Sequence, residues 1–255
     1  MEFIDTHTHI SDEAFRGEED EVIARAVAAG VSHMIQPDID SSERDAMFTL
    51  CERYPETLHP MIGLYPGSVH KDWEKEIGLL ESYRDKGVVA VGEIGLDYHE
   101  PDYDAKAQKA ALRLQFELAS RWGLPVNIHL RDALEDFLSV LKECSYLGIR
   151  GNMHAYGGSR EYYERVCQWG DFSLGIGGVV TFKNSHIGRD IKDIPLDRIV
   201  LETDAPYLSP TPLRGTRNES SRIPIIAAFI AERKDITVEE VATVTTLNAK
   251  RLFNI

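Results

Sequence analysis

The sequence has few cysteines, no excess of basic residues and no long hydrophobic run. Its three cysteines, Cys51, Cys144 and Cys167, are odd in number, widely separated and without a Cys-x-x-Cys pair. This pattern argues against a disulfide framework and against a zinc site made of thiolates. We expect these residues to be small, buried apolar side chains.

The apolar runs are much shorter than the roughly 20 residues that a helix needs to cross a bilayer. The first residues lead directly into a short apolar stretch, without the basic and apolar segments of a secretory signal. We therefore expect a cytoplasmic protein with no membrane partner. Linkers rich in proline or serine and low-complexity tracts are also missing, so we expect one domain over residues 1–255, acting as a monomer.

The charge is strongly acidic, because 28 basic residues stand against 42 acidic ones and give a formal net charge of −14. A protein that grips long duplex DNA neutralises many phosphates and normally presents a basic face. This chain cannot do so over much of its surface. If it acts on a phosphodiester, bound cations must supply much of the local positive charge, and contacts should extend over only a few nucleotides.

Short apolar stretches typical of strands alternate with stretches typical of helices along the whole chain. The predicted strands are eight segments, at residues 3–4, 31–35, 58–64, 87–93, 125–129, 150–154, 172–176 and 198–202. Helical sequence follows each one, and two further amphipathic helices are predicted near 222–233 and 238–253. This alternation predicts an α/β fold, a (β/α)8 TIM barrel with extra C-terminal helices. A doubly wound parallel sheet is the alternative.

Nitrogen and oxygen donors lie at the ends of five of these predicted strands. They are four histidines and two carboxylates: His7, His9, Glu93, His129, His154 and Asp204. In a barrel the carboxyl ends of the strands converge on one mouth, so these residues should share one pocket. The two histidines of the first strand are two positions apart on an extended chain and should point to the same side.

The number of donors favours two metal ions over one. A single catalytic zinc usually takes three protein ligands and keeps one position open. Six donors suit two divalent ions about 3.5–4 Å apart that share a bridging carboxylate and a bridging water. Imidazoles suit Zn²⁺, Mn²⁺, Co²⁺ or Ni²⁺, whereas carboxylates suit Mg²⁺ or Mn²⁺, so the metal stays open. Each donor also has an ordinary alternative: Glu93 in a helix cap, His129 in the core, Asp204 in a turn.

Four motifs resemble those of the TatD-type metal-dependent deoxyribonucleases, a family of amidohydrolase-like barrels. They are Asp-Thr-His-Thr-His at 5–9, Gly-Glu-Ile-Gly-Leu-Asp-Tyr at 92–98, Glu-Thr-Asp-Ala-Pro-Tyr-Leu at 202–208 and Pro-Leu-Arg-Gly-Thr-Arg-Asn-Glu at 212–219. The resemblance continues to Asn-Ala-Lys-Arg-Leu-Phe at 248–253 and covers essentially the whole chain. It implies that the first-strand histidines hold one ion with Asp204, that His129 and His154 hold the other, and that Glu93 bridges them.

By the same resemblance, the expected activity is divalent-cation-dependent cleavage of DNA phosphodiester bonds, as a 3′–5′ exonuclease on single-stranded or frayed DNA ends. We hypothesise that a hydroxide bridging the two ions attacks phosphorus in line, because metal ions lower the pKa of bound water to about 7. Asp204 would orient this water and accept its proton, while Glu93 acts from its bridging position. Asp5 and Glu202 are candidates to hydrogen-bond the ligand histidines or the water, or simply to bond at strand ends.

Substrate contacts are expected from loops around the same mouth. Arg131, Arg214 and Asn218 are predicted to bind phosphate, because a guanidinium forks well onto phosphate oxygens. The run Gly-Gly-Ser at 157–159 precedes a predicted helix and offers backbone N–H groups to an anion. Tyr156 is a candidate to stack on a base, although core packing is the ordinary role of such a ring.

Two motifs depart from the family pattern and affect the expected pocket wall. Many members have Gly-Leu-His-Pro where this chain has Gly-Leu-Tyr-Pro at 63–66, and His-Cys-Phe-Ser-Gly where it has His-Ala-Tyr-Gly-Gly at 154–158. Tyr65 and Tyr98 are further stacking candidates. Two alternatives stay open. One is a hydrolase of a small-molecule ester, amide or lactone on the same scaffold, and the other is a non-catalytic metal- or nucleic-acid-binding protein.

Overall fold

The computed structural model describes residues 1–99 and 101–255. Its strands form one parallel sheet of eight in sequential order. They are β1 (Phe3–Asp5), β2 (Val31–Gln36), β3 (Leu58–Ile62), β4 (Ala90–Asp97), β5 (Val126–Arg131), β6 (Arg150–Met153), β7 (Asp171–Ile176) and β8 (Ile199–Leu201). Each strand from β1 to β7 pairs in parallel with the next one along the chain, and the helices form the crossover connections that parallel strands need.

The last strand returns to the first and closes the sheet. Just beyond β1, the backbone N–H of Thr6 donates to the Leu201 carbonyl of β8 over 2.9 Å, and the Thr6 hydroxyl donates to the same oxygen over 3.0 Å. A parallel bridge between Thr8 and Ala205 continues this seam. The prediction of a (β/α)8 barrel is therefore confirmed, and the doubly wound sheet is excluded because such a sheet has open edges.

Nine α-helices are present in the described part of the chain, most of them between successive strands. They are α1 (Glu19–Ala28), α2 (Ser41–Arg53), α3 (Trp73–Leu80), α4 (Ala105–Trp122), α5 (Leu134–Glu143), α6 (Arg160–Val166), α7 (His186–Asp190), α8 (Ile223–Lys234) and α9 (Val238–Phe253). The last two are the predicted C-terminal helices. Across residues 1–99 and 101–255, no helix combines the length and apolar character needed to cross a bilayer.

Two strand boundaries differ from the prediction in a way that affects the site. The fourth strand was expected over residues 87–93, but β4 spans Ala90–Asp97, so Glu93 lies inside the strand and not at its end. Likewise β5 continues two residues beyond His129, to Arg131. The pairing of Asp97 with Arg131 extends both strands past their apolar residues. The length of an apolar run therefore underestimates the length of a strand whose carboxyl-terminal part faces a polar pocket.

The barrel wall is covered by aromatic side chains from helices and strands. Phe116 of α4, Phe137 of α5 and Phe172 of β7 are completely buried in one large hydrophobic cluster. Full burial of such a side chain contributes roughly 1.5–3 kcal/mol to stability. This packing supports the strands whose ends carry the polar groups of the mouth.

Candidate metal centre

The six predicted donors meet at the carboxyl-terminal mouth of the barrel, with His7 at the centre. Its Nε2 atom lies 3.1 Å from His9 Nε2, 3.3 Å from Glu93 Oε2 and 3.8 Å from Asp204 Oδ1. Asp204 Oδ1 is also 3.5 Å from His9 Nε2. His7, His9 and Asp204 thus present donor atoms within 4.8 Å of one another, as a metal ion requires.

Glu93 lies between all four imidazoles of the cluster. Its Oε1 atom is 2.8 Å from Nδ1 of His129 and 3.9 Å from Nε2 of His154, while Oε2 faces the two histidines of the first strand. Glu93, His154 and His7 form a second group of donors within 4.8 Å of one another. This group differs from the predicted pair of His129 and His154, because it does not include His129, whose ring centre lies 6.2 Å from that of His154.

The donors differ in their access to solvent. The side chains of His7, His154 and Glu93 are 0%, 3% and 4% exposed, whereas those of His9, Asp204 and His129 are 12%, 14% and 18% exposed. The deep donors therefore form the floor of the pocket. The other three lie at its opening, where a substrate would approach.

Buried carboxylates keep their negative charge in this pocket. Burial would raise the pKa of Glu93, but the neighbouring His7 and His129 hold it well below its ordinary value. Burial would also raise the pKa of Asp204, and His154 and His9 lower it. Both groups are therefore ionised over the physiological pH range and are available as anionic ligands.

The same carboxylates and their neighbours raise the pKa values of two of the imidazoles. Burial would lower the pKa of His129, yet hydrogen bonds to Asp97 and Glu93 raise it to about 9. Burial acts in the same direction on His154, whose pKa the charges of Glu202 and Asp204 raise to about 10. The pocket thus favours extra positive charge at the nitrogens that a metal ion would bind, so its donor set fits divalent cations.

His7 is oriented by a pair of buried amides that the sequence did not reveal. Its Nδ1 atom lies 3.0 Å from Oδ1 of Asn127, whose amide nitrogen donates to Oδ1 of Asn152 over 3.0 Å. This contact turns the other ring nitrogen towards Glu93. Asn127 lies two residues before His129 on β5, so the two-residue alternation of a strand places both side chains on the inner face.

Glu202, predicted to hydrogen-bond a ligand histidine or the water, or to bond at a strand end, lies against His154. Its Oε1 atom is 3.0 Å from His154 Nδ1 and accepts the Ala155 N–H over 2.6 Å. Gly175 on β7 makes room for this carboxylate, since a Cβ atom there would lie 2.0 Å from Glu202 Oε2. A small residue on the neighbouring strand therefore allows a completely buried acid to support a ligand candidate.

Asp5 contacts backbone and a hydroxyl, and no ligand imidazole. Its carboxylate accepts the Thr203 N–H over 2.9 Å, the Thr203 hydroxyl over 2.6 Å and the His7 N–H over 3.3 Å. Complete burial raises the pKa of Asp5 to about 7. Asp5 therefore ties the first strand to the segment that carries Asp204.

Asp97 is a second neighbour of the cluster to which sequence reasoning gave no role. Its Oδ2 atom lies 2.9 Å from Nε2 of His129 and accepts the Tyr65 hydroxyl over 3.2 Å. Asp97 belongs to the motif at 92–98, but its side chain faces the pocket only because β4 continues to that residue. Asp97 could have been identified from the sequence only by extending the predicted strand from residue 93 to residue 97.

The predicted phosphate contacts separate into exposed and buried residues. Arg131 at the end of β5 is exposed, and Arg214 is exposed with its guanidinium carbon 4.0 Å from the centre of the Phe182 ring. Asn218 is 0% exposed, and its amide nitrogen donates to the Thr203 carbonyl over 2.8 Å. The Asn218 amide thus holds the loop before Asp204, and a direct phosphate contact by Asn218 stays a prediction.

The predicted stacking residues are also constrained. Tyr156 is 7% exposed, donates its hydroxyl to the Ser159 carbonyl and packs its ring in the wall, and its stacking on a base stays a prediction. Tyr98 donates to Asp136 over 2.8 Å and stacks on Tyr103 with ring centres 4.4 Å apart. Tyr65 stands edge-on to His129, with ring centres 5.0 Å apart.

Comparison with known proteins places this site in a family. The family model described as TatD related DNase matches residues 4–254. The metal-dependent hydrolase YabD of Bacillus subtilis is 40% identical over 253 residues, which cover 98% of each chain. A mouse relative, named "Putative deoxyribonuclease TATDN3", is 33% identical over 98% of this chain and 87% of its own length.

A solved structure has the same architecture. The crystal structure of YjjV, a TatD homologue from Escherichia coli, superposes with a TM-score of 0.90 at 33% sequence identity. The match covers 99% of this chain and 98% of that chain. The similarity therefore includes the whole barrel together with its C-terminal helices.

Proposed function

The chain belongs to the TatD-related DNase family of metal-dependent hydrolases, and from this we propose that it is a divalent-metal-dependent deoxyribonuclease. The family establishes a metal-dependent hydrolase. The choice of DNA as substrate is supported by the family description and by the name of the mouse relative. We propose 3′–5′ exonuclease action on single-stranded or frayed ends.

The residues that would hold the ions are the six donors of the mouth. We assign His7 and His9 with Asp204 to one ion, His129 and His154 to the second, and Glu93 to a position between them. The observation that carries this assignment is Glu93, whose two oxygens lie 2.8–4.0 Å from nitrogens of all four imidazoles. A single carboxylate surrounded in this way can serve two cations at once.

When bound, divalent cations lower the pKa of coordinated water and offset the negative charge of a phosphate. The chain's own groups position the reactants and move the proton. Asp204 is ionised, lies at the opening and can accept the proton of the attacking water at a carboxylate oxygen. Glu93 stays ionised on the floor of the pocket, where it holds the imidazoles in place.

Arg131 and Arg214 are the proposed phosphate contacts that remain available at the surface. Two guanidiniums can bind a phosphate on either side of the scissile bond. Because the chain carries a net charge of −14, contacts along a longer duplex are unfavourable. This favours short or single-stranded ends as the substrate.

The direct test is digestion of a single-stranded oligonucleotide labelled at the 5′ or the 3′ end. Protein stripped with a chelator should be inactive and should recover with Mg²⁺, Mn²⁺ or Zn²⁺, giving a ladder that shortens from the 3′ end. Glu93→Gln serves as the control for a contaminating nuclease. Full activity of that variant, or no cleavage with any cation, would contradict the proposal.

The acidic surface favours one second candidate, a hydrolase of small-molecule esters, amides or lactones on the same scaffold. A substrate without a long polyanion would not meet repulsion from the net negative charge. The same metal-loaded protein should then hydrolyse a panel of such compounds at least tenfold faster than the oligonucleotide. The reverse ratio would exclude this candidate.

A further inference from the structure

A chain of hydrogen bonds runs from the pocket wall to His129. The Tyr65 hydroxyl donates to Asp97 Oδ2 over 3.2 Å, and this same oxygen lies 2.9 Å from His129 Nε2. The other ring nitrogen, Nδ1, lies 2.8 Å from Glu93 Oε1. The imidazole of His129 is therefore held between an inner and an outer carboxylate.

We propose that Asp97, braced by Tyr65, is a positioning residue that fixes the His129 ring so that its Nδ1 atom faces the metal centre. A neutral imidazole carries one N–H group and one lone pair. An acceptor at Nε2 keeps the proton on that nitrogen and leaves the lone pair of Nδ1 for a metal ion. The inference rests on the proposed metal site, because it assumes that His129 is a ligand.

The position of Asp97 is itself fixed by its neighbours. The Gln108 side chain pairs with the Asp97 backbone, accepting its N–H over 2.8 Å and donating to its carbonyl over 2.9 Å. The second oxygen of the carboxylate, Oδ1, accepts the His99 N–H over 2.9 Å. Asp97 is only 6% exposed, so its side chain has little freedom to turn away from His129.

A close approach of two strands brings Asp97 within reach of the ring. Gly95 of β4 pairs with His129 of β5, and its φ angle is +151°. A Cβ atom at Gly95 would lie 1.8 Å from the His129 carbonyl oxygen, so only glycine allows this contact. Two residues further along β4, Asp97 emerges next to the outer nitrogen of the ring.

Tyr65 contacts both Asp97 and His129. A neutral phenol carries a single O–H group, which here donates to Asp97, and its ring packs edge-on against His129. Tyr65 therefore braces both members of the pair, the acceptor through a hydrogen bond and the imidazole through its ring.

The test compares Asp97→Ala with Asp97→Asn in the full-length protein. Zinc affinity is measured by competition with a chelator, and the His129 Nε2–H proton is observed by NMR in zinc-loaded, ¹⁵N-histidine-labelled protein. Loss of such an outer partner typically weakens metal binding about 10–100-fold. We expect that loss for the alanine variant, together with rapid solvent exchange of the Nε2–H proton. The asparagine variant keeps an acceptor and should retain the proton signal and most of the affinity.

Tyr65→Phe isolates the contribution of the brace. One net hydrogen bond of about 0.5–1.5 kcal/mol corresponds to a roughly 2- to 12-fold loss of zinc affinity. Tyr98→Phe is the matched control, because it removes a neighbouring hydroxyl that donates to Asp136 and not to the site. Equal effects of the two substitutions would overturn the role of Tyr65. Circular dichroism verifies folding, and the asparagine and phenylalanine variants carry the test if the alanine variant does not fold.

These results are independent of DNA cleavage. If the wild type binds zinc and Asp97→Ala weakens it as expected, the inference holds even when no oligonucleotide is cut. If Asp97→Ala keeps its zinc affinity within twofold and keeps a slowly exchanging Nε2–H proton, the inference is wrong even for an active nuclease. Unchanged zinc binding by His129→Ala would also overturn it.

Discussion

Among the described residues, two pairs of histidines have ring nitrogens within hydrogen-bonding distance of each other, and the two pairs have very different surroundings. His7 and His9 have nitrogens 3.1 Å apart at the mouth, and His33 and His59, on β2 and β3, have nitrogens 2.8 Å apart. The distances alone do not distinguish the pairs. Their surroundings do, because Glu93 and Asp204 face the first pair, whereas the second pair belongs to no group of metal-ligand geometry among the described residues.

The electrostatic states of the two regions differ accordingly. Burial and then the charge of His33 lower the pKa of His59 to about 4, and burial and then Lys250 lower the pKa of His33. Both rings are neutral at physiological pH. At the mouth, buried carboxylates instead raise the pKa of His129 and His154. Close imidazoles therefore form a candidate cation site only where buried anions accompany them.

The largest effect is expected from Glu93→Ala, which removes the carboxylate that distinguishes the mouth. Loss of an outer partner costs about 10–100-fold in metal affinity or activity. If Glu93 bridges two ions as proposed, its removal should have a larger effect, and we expect hydrolysis to fall by more than about 100-fold with loss of bound metal. Steady-state kinetics and elemental analysis measure both. Glu56→Ala, which changes an acid next to the other pair, is the control and should change neither.

A smaller effect is expected from Glu202→Gln, which weakens the support of His154. We expect a roughly 10–100-fold loss of affinity for one ion, measured by calorimetric titration. Gly175→Ala should act in the same direction, because its Cβ atom would collide with Glu202. If both variants bind metal like the wild type, the contact between Glu202 and His154 has no role in the site.

Metal binding should release protons and strengthen as the pH rises. The metal-free protein holds protons on His129 and His154 up to pH values of about 9 and 10, because their pKa values are raised from 6.5. These protons stabilise the metal-free fold below about pH 6.5, and this stabilisation is lost as the pH rises through the raised values. Affinity should increase about tenfold per pH unit for each proton released.

Calorimetric titration in two buffers of different ionisation enthalpy counts these protons. We expect at least one proton released per ion between pH 6.5 and 8. A binding enthalpy that does not depend on the buffer would show that the imidazoles carry no extra proton before the metal binds. The charge balance described for the mouth would then be wrong.

The smallest effect is expected from His33→Asn and His59→Asn. Each removes one partner of the second pair, and the loss of one hydrogen bond should lower the free energy of unfolding by only about 0.5–1.5 kcal/mol. Metal content and hydrolysis should stay unchanged. Chemical denaturation and elemental analysis report on both, and loss of metal in either variant would remove the distinction between the two regions.

The barrel and the donor set could be predicted because both depend on local patterns. Alternating apolar strands and helices predict the architecture, and His7, His9, His129, His154 and Asp204 follow or end apolar stretches at its carboxyl-terminal side. Glu93 was placed correctly at the mouth although its strand continues beyond it. The topology then brings residues far apart in the sequence to one pocket.

The supporting residues could not be predicted, because their roles depend on partners far away in the sequence. Asn127 contacts His7 across 120 residues, and Tyr65 meets Asp97 across 32. Asn218 is predicted as a substrate contact from its place in the loop after the eighth strand, while the structure buries it completely. Burial of a single polar side chain in a loop is a property of the folded chain and leaves no periodic pattern.

Anomalous diffraction tests most directly the proposal that the mouth holds two divalent ions. Crystals of protein purified without chelator and soaked in Mn²⁺ or Zn²⁺ are measured on either side of the metal absorption edge. We predict two peaks about 3.5–4 Å apart. One should be ligated by His7, His9 and Asp204 and the other by His129 and His154, with Glu93 between them. A single peak, or peaks away from Glu93, would contradict the account.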